Sequence, residues 1–146
     1  MMTAIAWRPT RAEVSEAVQE AREVAQLASA IGRPPGMYRL DDVLLESVLV
    51  RPSTVTERLM QLVAPLAEGT ALRETLETYL AADLDRRRAA SALHIHPNTL
   101  DYRLRRIHEL TGLAPTTTHG LQLLSAALLA SRLRGGATSS GSSDHP

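Results

Sequence analysis

The stretch of sequence that decides the fold is RAASALHIHPNTLDYRL, residues 88–104. Two helices that cross at a sharp angle need a small residue at the crossing, and Ala90 supplies it. Leu93 and Ile95 flank the intervening turn, where their side chains can fill the angle between the helices. Pro97 fits the first turn of the second helix, where its missing N–H group costs nothing. The stretch therefore predicts two helices joined by a tight turn.

The second helix is predicted over Pro97 to Thr111, with Gly112 ending it. Its leucine and isoleucine residues recur at i, i+4 and i+7, which is the spacing of one buried face. They are Leu100, Leu104 and Ile107. Projected at 100° per residue, another set of side chains faces away from that stripe. The outward set is Asn98, Asp101, Tyr102, Arg105 and Glu109, with Thr99 and Arg106 on one flank.

An exposed helix of this kind can enter the major groove of DNA and present its side chains to base edges. Arginine pairs well with guanine and asparagine with adenine, and tyrosine can reach a phosphate or a thymine methyl group. We therefore expect DNA contacts from His96, Asn98, Thr99, Tyr102, Arg105 and Arg106. Phosphate contacts are also expected from Arg86, Arg87 and Arg88, at the start of the preceding helix, where backbone amides attract anions.

Some residues favour the alternative, a helical protein–protein interaction module that does not bind DNA. Asp101 and Glu109 lie on the face predicted to meet DNA, where an acid can accept from cytosine but otherwise repels phosphate. His94 occupies a turn position at which glycine is common, because left-handed backbone is cheap only for glycine. The spacing alone therefore leaves both functions open.

The rest of the chain predicts a mainly α fold, a helical bundle with one or two short strands near the N-terminus. A strand is predicted at Thr3 to Trp7, and a Thr10–Glu13 capping box opens a helix that ends at Gly32. Further helices are predicted near Asp41 to Leu49, Thr54 to Ala64, Thr70 to Ala82 and Leu121 to Arg132. The Gly/Ser-rich segment 135–146 is expected to be disordered.

Composition and charge limit the functions that the chain can have. The sequence contains no cysteine, and its three central histidines, His94, His96 and His108, have no accompanying carboxylate cluster, so we expect no metal or cofactor. It shows no nucleophile–base set and no phosphate loop, so an enzyme is not expected. Residues 1–84 hold 8 Arg and 12 Asp plus Glu, a net charge of −4, whereas residues 85–146 hold 8 Arg and 4 Asp plus Glu, a net charge of +4. This asymmetry favours an anionic partner for the second part.

The N-terminus lacks a basic segment followed by an apolar one, and the apolar run near Leu121 to Ala130 is too short to span a bilayer. We therefore expect a cytoplasmic protein that does not contact membranes.

Three segments together resemble the C-terminal domain of PucR/CdaR-type bacterial transcription regulators. They are LRETLETYL (72–80), AAxxLHIHPNTLxYRLxxI (89–107) and LTG (110–112), and the resemblance covers about Pro65 to Arg134. It implies a helix-turn-helix similar to that of the Fis protein, with double-stranded DNA as its partner. Because one short helix reads too few bases, we also expect a homodimer, with the helix Leu121 to Leu133 or the helix Glu13 to Ile31 as its apolar contact surface. Pro97 stands where many relatives carry arginine, which puts more weight on Arg105 and Arg106.

The resemblance also implies a domain organisation. Arg11 to Val50 resembles the end of the central GGDEF-like domain of these regulators, so residues 1–66 are expected to be a remnant of that region with its linker. Residues 67–134 are expected to form the DNA-binding domain, followed by the tail 135–146. An effector ligand would then bind outside this sequence. The chain is either a fragment or a short paralogue, and the sequence leaves both open.

Overall fold

The computed structural model describes residues 3–4, 13–67 and 70–139. These residues are mainly α-helical, as the sequence predicts. The helices are α1 (Glu13–Ala30), α2 (Leu44–Leu49), α3 (Thr54–Val63), α4 (Ala71–Ala81), α5 (Arg86–Ala92), α6 (Pro97–Thr111) and α7 (Thr118–Ser139). Two short strands, β1 (Thr3–Ala4) and β2 (Met37–Tyr38), and a 3-10 helix at Leu40–Val43 complete the described elements.

The chain divides into two compact units, of which the first comprises Met1–Ser53 and Leu129–Pro146. In this unit β1 and β2 pair in parallel, with Thr3 opposite Met37, and α1 makes the connection between them. Parallel strands need such a crossover because a tight turn can join only antiparallel ones. The helix α1 packs on both strands, on the 3-10 helix and on α2. The strand predicted at Thr3 to Trp7 is therefore present at Thr3–Ala4, and its remainder lies outside the described residues.

The predicted starts of two helices in this unit have different outcomes. The Thr10–Glu13 capping box depends on Thr10, which lies outside the described residues. The short helix predicted to start at Asp41 begins instead with the 3-10 turn, because Arg39 is its N-cap residue. The Asp42 carboxylate accepts a hydrogen bond from the Arg39 amide at 2.8 Å. The acidic residue that caps this turn is therefore its third residue and does not precede it.

The second unit, Thr54–Leu128, contains a single buried core. Helices α4, α5 and α6 pack against one another in all three pairs. Their aliphatic faces meet residues from α3, from the segment that follows it and from the first part of α7. The buried members include Val63, Leu66, Leu76, Tyr79, Leu100, Leu104, Ile107, Leu124 and Leu128. With almost no aromatic residue available, this core is built from interdigitating aliphatic side chains.

The compact units divide at Ser53 and Leu128, and the domain organisation with limits at residues 66 and 134 stays a prediction. The tail predicted to be disordered from Gly135 continues α7 through Ser139, and residues 140–146 lie outside the described residues. Adding a residue to an existing helix costs far less than starting one, so two glycines do not by themselves end α7.

Candidate nucleic-acid interface

Helix α5 begins at an aspartate cap. The Asp85 carboxylate accepts hydrogen bonds from the amides of Arg87 and Arg88 at 2.9 and 3.0 Å. The bond from the Arg88 amide is the main cause that lowers the pKa of Asp85, with the Arg87 amide and both guanidinium charges acting in the same direction. These two amides are therefore already used, and the expected attraction of phosphate to this helix end rests on the arginine side chains.

The turn between α5 and α6 holds His94 in the left-handed region, with φ of 54°. The Ile95 amide donates to the Ala90 carbonyl at 3.0 Å, and the His94 amide donates to the Ser91 carbonyl at 3.1 Å. This is the Schellman arrangement that usually carries glycine, and the histidine bears the steric cost of the conformation. Leu93 and Ile95 pack against the core on either side, as the sequence predicts.

Helix α6 begins at an unexpected cap. The Nδ1 atom of His96 accepts a hydrogen bond from the Asn98 amide at 3.2 Å, and Pro97 occupies the first helical position. An accepting Nδ1 requires the neutral ring with its proton on Nε2, so the outer nitrogen remains a donor. His96, predicted only as a DNA contact, thus has a structural role as well. At the other end of α6, Gly112 adopts a left-handed conformation with φ of 73°.

The two faces of α6 are as different as the sequence predicts. Leu100 and Ile107 are fully buried, and Leu104 is nearly so. All nine side chains predicted to contact DNA are exposed, namely Arg86, Arg87, Arg88, His96, Asn98, Thr99, Tyr102, Arg105 and Arg106. Tyr102 is 59% exposed, which is unusual for an aromatic side chain and leaves its ring and hydroxyl open to a partner.

Ion pairs divide the predicted cations into two groups. Arg86 Nε lies 3.3 Å from Asp101 Oδ1 and so joins α5 to α6. Arg106 Nη1 donates to Glu109 Oε2 at 2.7 Å, and this hydrogen bond raises the pKa of the Arg106 guanidinium. Arg88 Nη1 lies 3.6 Å from Asp83 Oδ2.

Within the described part of the chain, the Arg87 and Arg105 side chains have no hydrogen-bond or ion-pair partner. Among the predicted DNA contacts, Arg87 and Arg105 are therefore the arginines whose whole guanidinium is open to an anion.

A shallow groove of about 330 Å³ runs along one side of α6. Arg86, Arg105 and His108 line it together with Asp101 and residues 114–116 of the loop that follows α6. The structure thus brings together two of the predicted phosphate and base contacts, Arg86 and Arg105. It also adds His108 and Thr116, which the sequence did not indicate as parts of the site.

Two partner choices were missed by reasoning from the sequence. Arg103, at the edge of the buried face of α6, donates a hydrogen bond from Nη1 to the hydroxyl of Thr75 at 3.2 Å. The second is the pairing of Asp101 with Arg86. A signal existed in both cases, namely a hydroxyl on the apolar face of α4 and a carboxylate on a face predicted to meet phosphate, since each needs a partner.

In residues 3–4, 13–67 and 70–139, no three metal-ligating side chains come together in a way that could hold an ion. The helices of the same residues also lack the length and apolar character needed to cross a membrane.

The geometry of the second unit is that of a helix-turn-helix domain. Residues 72–130 match the family described as the PucR C-terminal helix-turn-helix domain. These residues comprise α4, α5, α6 and the first part of α7, which are the elements that hold and present the exposed face. Residues 72–130 therefore form a helix-turn-helix domain of the PucR C-terminal type.

Relatives and a solved structure agree with this assignment. The chain is 30% identical to the protein YsfB of Bacillus subtilis over 122 residues, which are 81% of this chain and 33% of YsfB. It is 35% identical over 108 residues to the transcriptional activator PmfR of Paenarthrobacter nicotinovorans, covering 70% of this chain and 23% of PmfR. The chain thus spans a third or less of these relatives.

A crystal structure titled regulator of polyketide synthase expression, from Bifidobacterium adolescentis, is similar with a TM-score of 0.54 and 31% sequence identity. The similarity covers 82% of this chain and 51% of that one.

Proposed function

We propose that this chain is the sequence-specific DNA-binding part of a transcription regulator and reads the major groove with α6. The observation that carries the proposal is the exposed stripe of Asn98, Tyr102 and Arg105, opposite the buried stripe of the same helix. An amide, a phenol and an unpaired guanidinium are side chains that can discriminate base edges. His96, Thr99 and Arg106 extend this surface, and Arg86, Arg87 and Arg88 supply charge for the phosphate backbone.

The test is selection of bound sequences from a pool of random duplex DNA, followed by binding of the selected site at several salt concentrations. We expect one enriched motif and an affinity that falls as salt rises, because arginine contacts to phosphate release counterions. No enrichment, together with no salt-sensitive binding to any duplex, would contradict the proposal.

The alternative function is a helical protein-interaction module, and the Arg86–Asp101 and Arg106–Glu109 pairs favour it. Each pair neutralises a cation on the face assigned to DNA. The same binding experiment separates the two functions. A module that has lost DNA binding retains an exposed helical face but shows no salt-dependent affinity for random duplex DNA at low salt.

We further propose that the regulator acts as a homodimer. One short helix reads few bases, and helix-turn-helix domains commonly read two half-sites as a pair. Of the two surfaces expected from the sequence, α7 uses Leu124, Leu128 and Leu133 as buried residues. The helix α1 instead exposes Val14 and Val18.

On the neighbouring α2, Leu44, Leu45 and Val48 are each more than half exposed. The exposed apolar side chains of α1 and of α2 therefore support self-association better than α7 does.

Sedimentation with a duplex that carries two half-sites tests this model. We expect two copies per duplex and only weak self-association without DNA. Replacing Val48 by Asp should weaken paired binding while leaving binding to a single half-site unchanged. One copy per duplex under all conditions would contradict the paired model.

A further inference from the structure

Asp101 is a carboxylate beside the surface that we assign to DNA, where its charge by itself repels phosphate. Its side chain is about half exposed, so burial does not explain why an acid is present there. Its partner is Arg86 of α5, with Nε and Oδ1 3.3 Å apart. An ion pair between two such exposed groups contributes little to folding stability. The effect of Asp101 on the Arg86 guanidinium is therefore the better explanation for its presence.

The atom through which Arg86 is held decides what the rest of its guanidinium can do. Arginine has one N–H on Nε and two terminal NH2 groups in a rigid planar fork. Because Asp101 contacts Nε, the edge of the guanidinium away from that atom remains available to another acceptor. A guanidinium held at Nε has fewer orientations open to it than a free one, so it loses less entropy when it binds an anion.

The groove next to this pair offers further donors. Arg105 and His108 follow Asp101 at i+4 and i+7 on α6, so all three side chains lie along one side of the helix. Across the groove, Thr116 contributes an exposed hydroxyl from the loop after α6. Arg86 and Arg105 thus place two positive charges on one concave surface, against the single negative charge of Asp101.

We propose that Arg86, His108 and Thr116 in this groove bind one phosphate of the DNA backbone, with the charge of Arg105 beside them, and that Asp101 is the positioning residue that orients Arg86 toward it. The inference rests on the proposed function, since it requires that duplex DNA lies along α6. It assigns to Asp101 a role opposite to the one that its charge suggests. A contact of this kind fixes the register of α6 on the duplex and carries no base preference itself.

The proposal predicts that Asp101→Ala changes the affinity for DNA in opposite directions when Arg86 is present and when it is replaced by Ala. Asp101→Ala in the otherwise unchanged chain should weaken binding to duplex DNA about two- to fivefold, the fold-change that corresponds to an exposed ion pair. When Arg86 is already replaced by Ala, Asp101→Ala should instead strengthen binding, because only the repulsion of the carboxylate is then removed. The salt dependence should also become shallower in Asp101→Ala by up to about one phosphate contact.

The experiment measures the affinity of four proteins for one duplex at several salt concentrations. They are the unchanged chain, Asp101→Ala, Arg86→Ala and the double variant. Melting temperatures establish that each protein is folded. Glu74→Ala serves as the matched control, because Glu74 is an exposed acid on α4 and its loss changes the net charge equally. We expect Glu74→Ala to leave the affinity unchanged or to raise it slightly in both backgrounds.

Each outcome has a defined meaning. Stronger binding by Asp101→Ala in both backgrounds would show simple repulsion and would overturn the positioning role. Weaker binding in both backgrounds, changing with one base pair of the site, would show that Asp101 reads a base and would also overturn it. If the unchanged chain binds no duplex at any salt concentration, the proposed function itself fails, which this series distinguishes from failure of the positioning role alone.

Discussion

Arg103 of α6 donates a hydrogen bond from Nη1 to the hydroxyl of Thr75 on α4, 3.2 Å away and 28 residues earlier in the chain. Thr75 is fully buried, and its hydroxyl donates in turn to the Ala71 carbonyl. The Thr75 hydroxyl therefore donates a hydrogen bond within α4 and accepts one from Arg103 of α6. Since the outward face of α6 is fixed by how the helix sits on α4, this bond connects the core of the domain to the orientation of its exposed side chains.

Removal of this link should lower stability more than it lowers DNA affinity. We expect Arg103→Ala and Thr75→Val each to destabilise the domain, with a coupling energy of about 1–3 kcal/mol in a double-mutant cycle. Denaturant unfolding of the two single variants and the double variant measures it. Additive effects would contradict the link, and a loss of DNA affinity without a loss of stability would place Arg103 on the DNA instead.

Arg105 should carry specificity. Its side chain is exposed and has no ion-pair partner in the described residues, so it is available to a base. We expect Arg105→Ala to cost about 1–3 kcal/mol of binding and to relax the preference at one base position, if its contact is bidentate to guanine. Arg58→Ala on α3 is the control for the charge change. Unchanged affinity and unchanged preference in Arg105→Ala would remove this residue from the interface.

Ala90 should tolerate no larger side chain. It is 2% exposed in the core between α5 and its neighbours, and its carbonyl accepts the Ile95 amide that closes the turn. Ala90→Leu should therefore overpack the site and destabilise the domain by about 1–3 kcal/mol. The adjacent exposed position gives the control, since Ser91→Leu adds a comparable volume into solvent. Equal melting temperatures for the Ala90 variant and the unchanged chain would contradict this packing.

Asp85 should make the stability of the domain sensitive to acid. Its pKa in the folded state is lowered, chiefly by the Arg88 amide, relative to an ordinary aspartate value of about 3.9. The charged cap therefore stabilises the fold fully above that value, and its contribution is lost as pH falls through the lowered pKa. Thermal unfolding of Asp85→Asn at several pH values checks this prediction. The variant should be less stable than the unchanged chain at neutral pH, and the difference should shrink below about pH 4.

Gly120 should be required for the start of α7. A Cβ atom at this position would meet the carbonyl oxygen of Ala114, and it would lie 2.9 Å from the carbonyl carbon. Because the contacted atoms belong to the backbone of Ala114, they cannot move away by a rotation of a side chain. We expect Gly120→Ala to destabilise the chain by about 1–3 kcal/mol.

The control for this change is another helical glycine, Gly135, where an added Cβ would meet nothing within 4 Å. Gly135→Ala should be neutral or stabilising by up to about 1 kcal/mol, as expected for a glycine in a helix. A similar loss of stability in both variants would mean that the close approach to Ala114 does not decide the effect.

Much of the helix-turn-helix could be predicted from local sequence, and α6 shows why. Its buried stripe repeats with the period of the helix, Pro97 fits its first position, and Gly112 follows its last residue. Each of these features acts within one or two turns, so the residues that set them are close together in the chain. The N-cap role of Asp85 was predictable for the same reason.

Other features needed the packed structure. The connection between α4 and α5 places Asp83 and Leu84 in the left-handed region, with φ of 51° and 65°, and leucine rarely adopts it. Two helices held at a fixed angle by the core leave only a few conformations for the four connecting residues. The surrounding packing therefore imposes a conformation that local preference would not choose.

The sequence by itself determined the class of fold, the two faces of α6 and the set of exposed side chains, because period and caps are local properties. Only the tertiary structure decided that Arg103 bonds Thr75, that Asp101 pairs with Arg86, and that Arg86 and Arg105 share one groove. A charged side chain can reach several partners, and the choice among them depends on which helices pack together. That choice is fixed by the core as a whole, so no pattern within a single helix contains it.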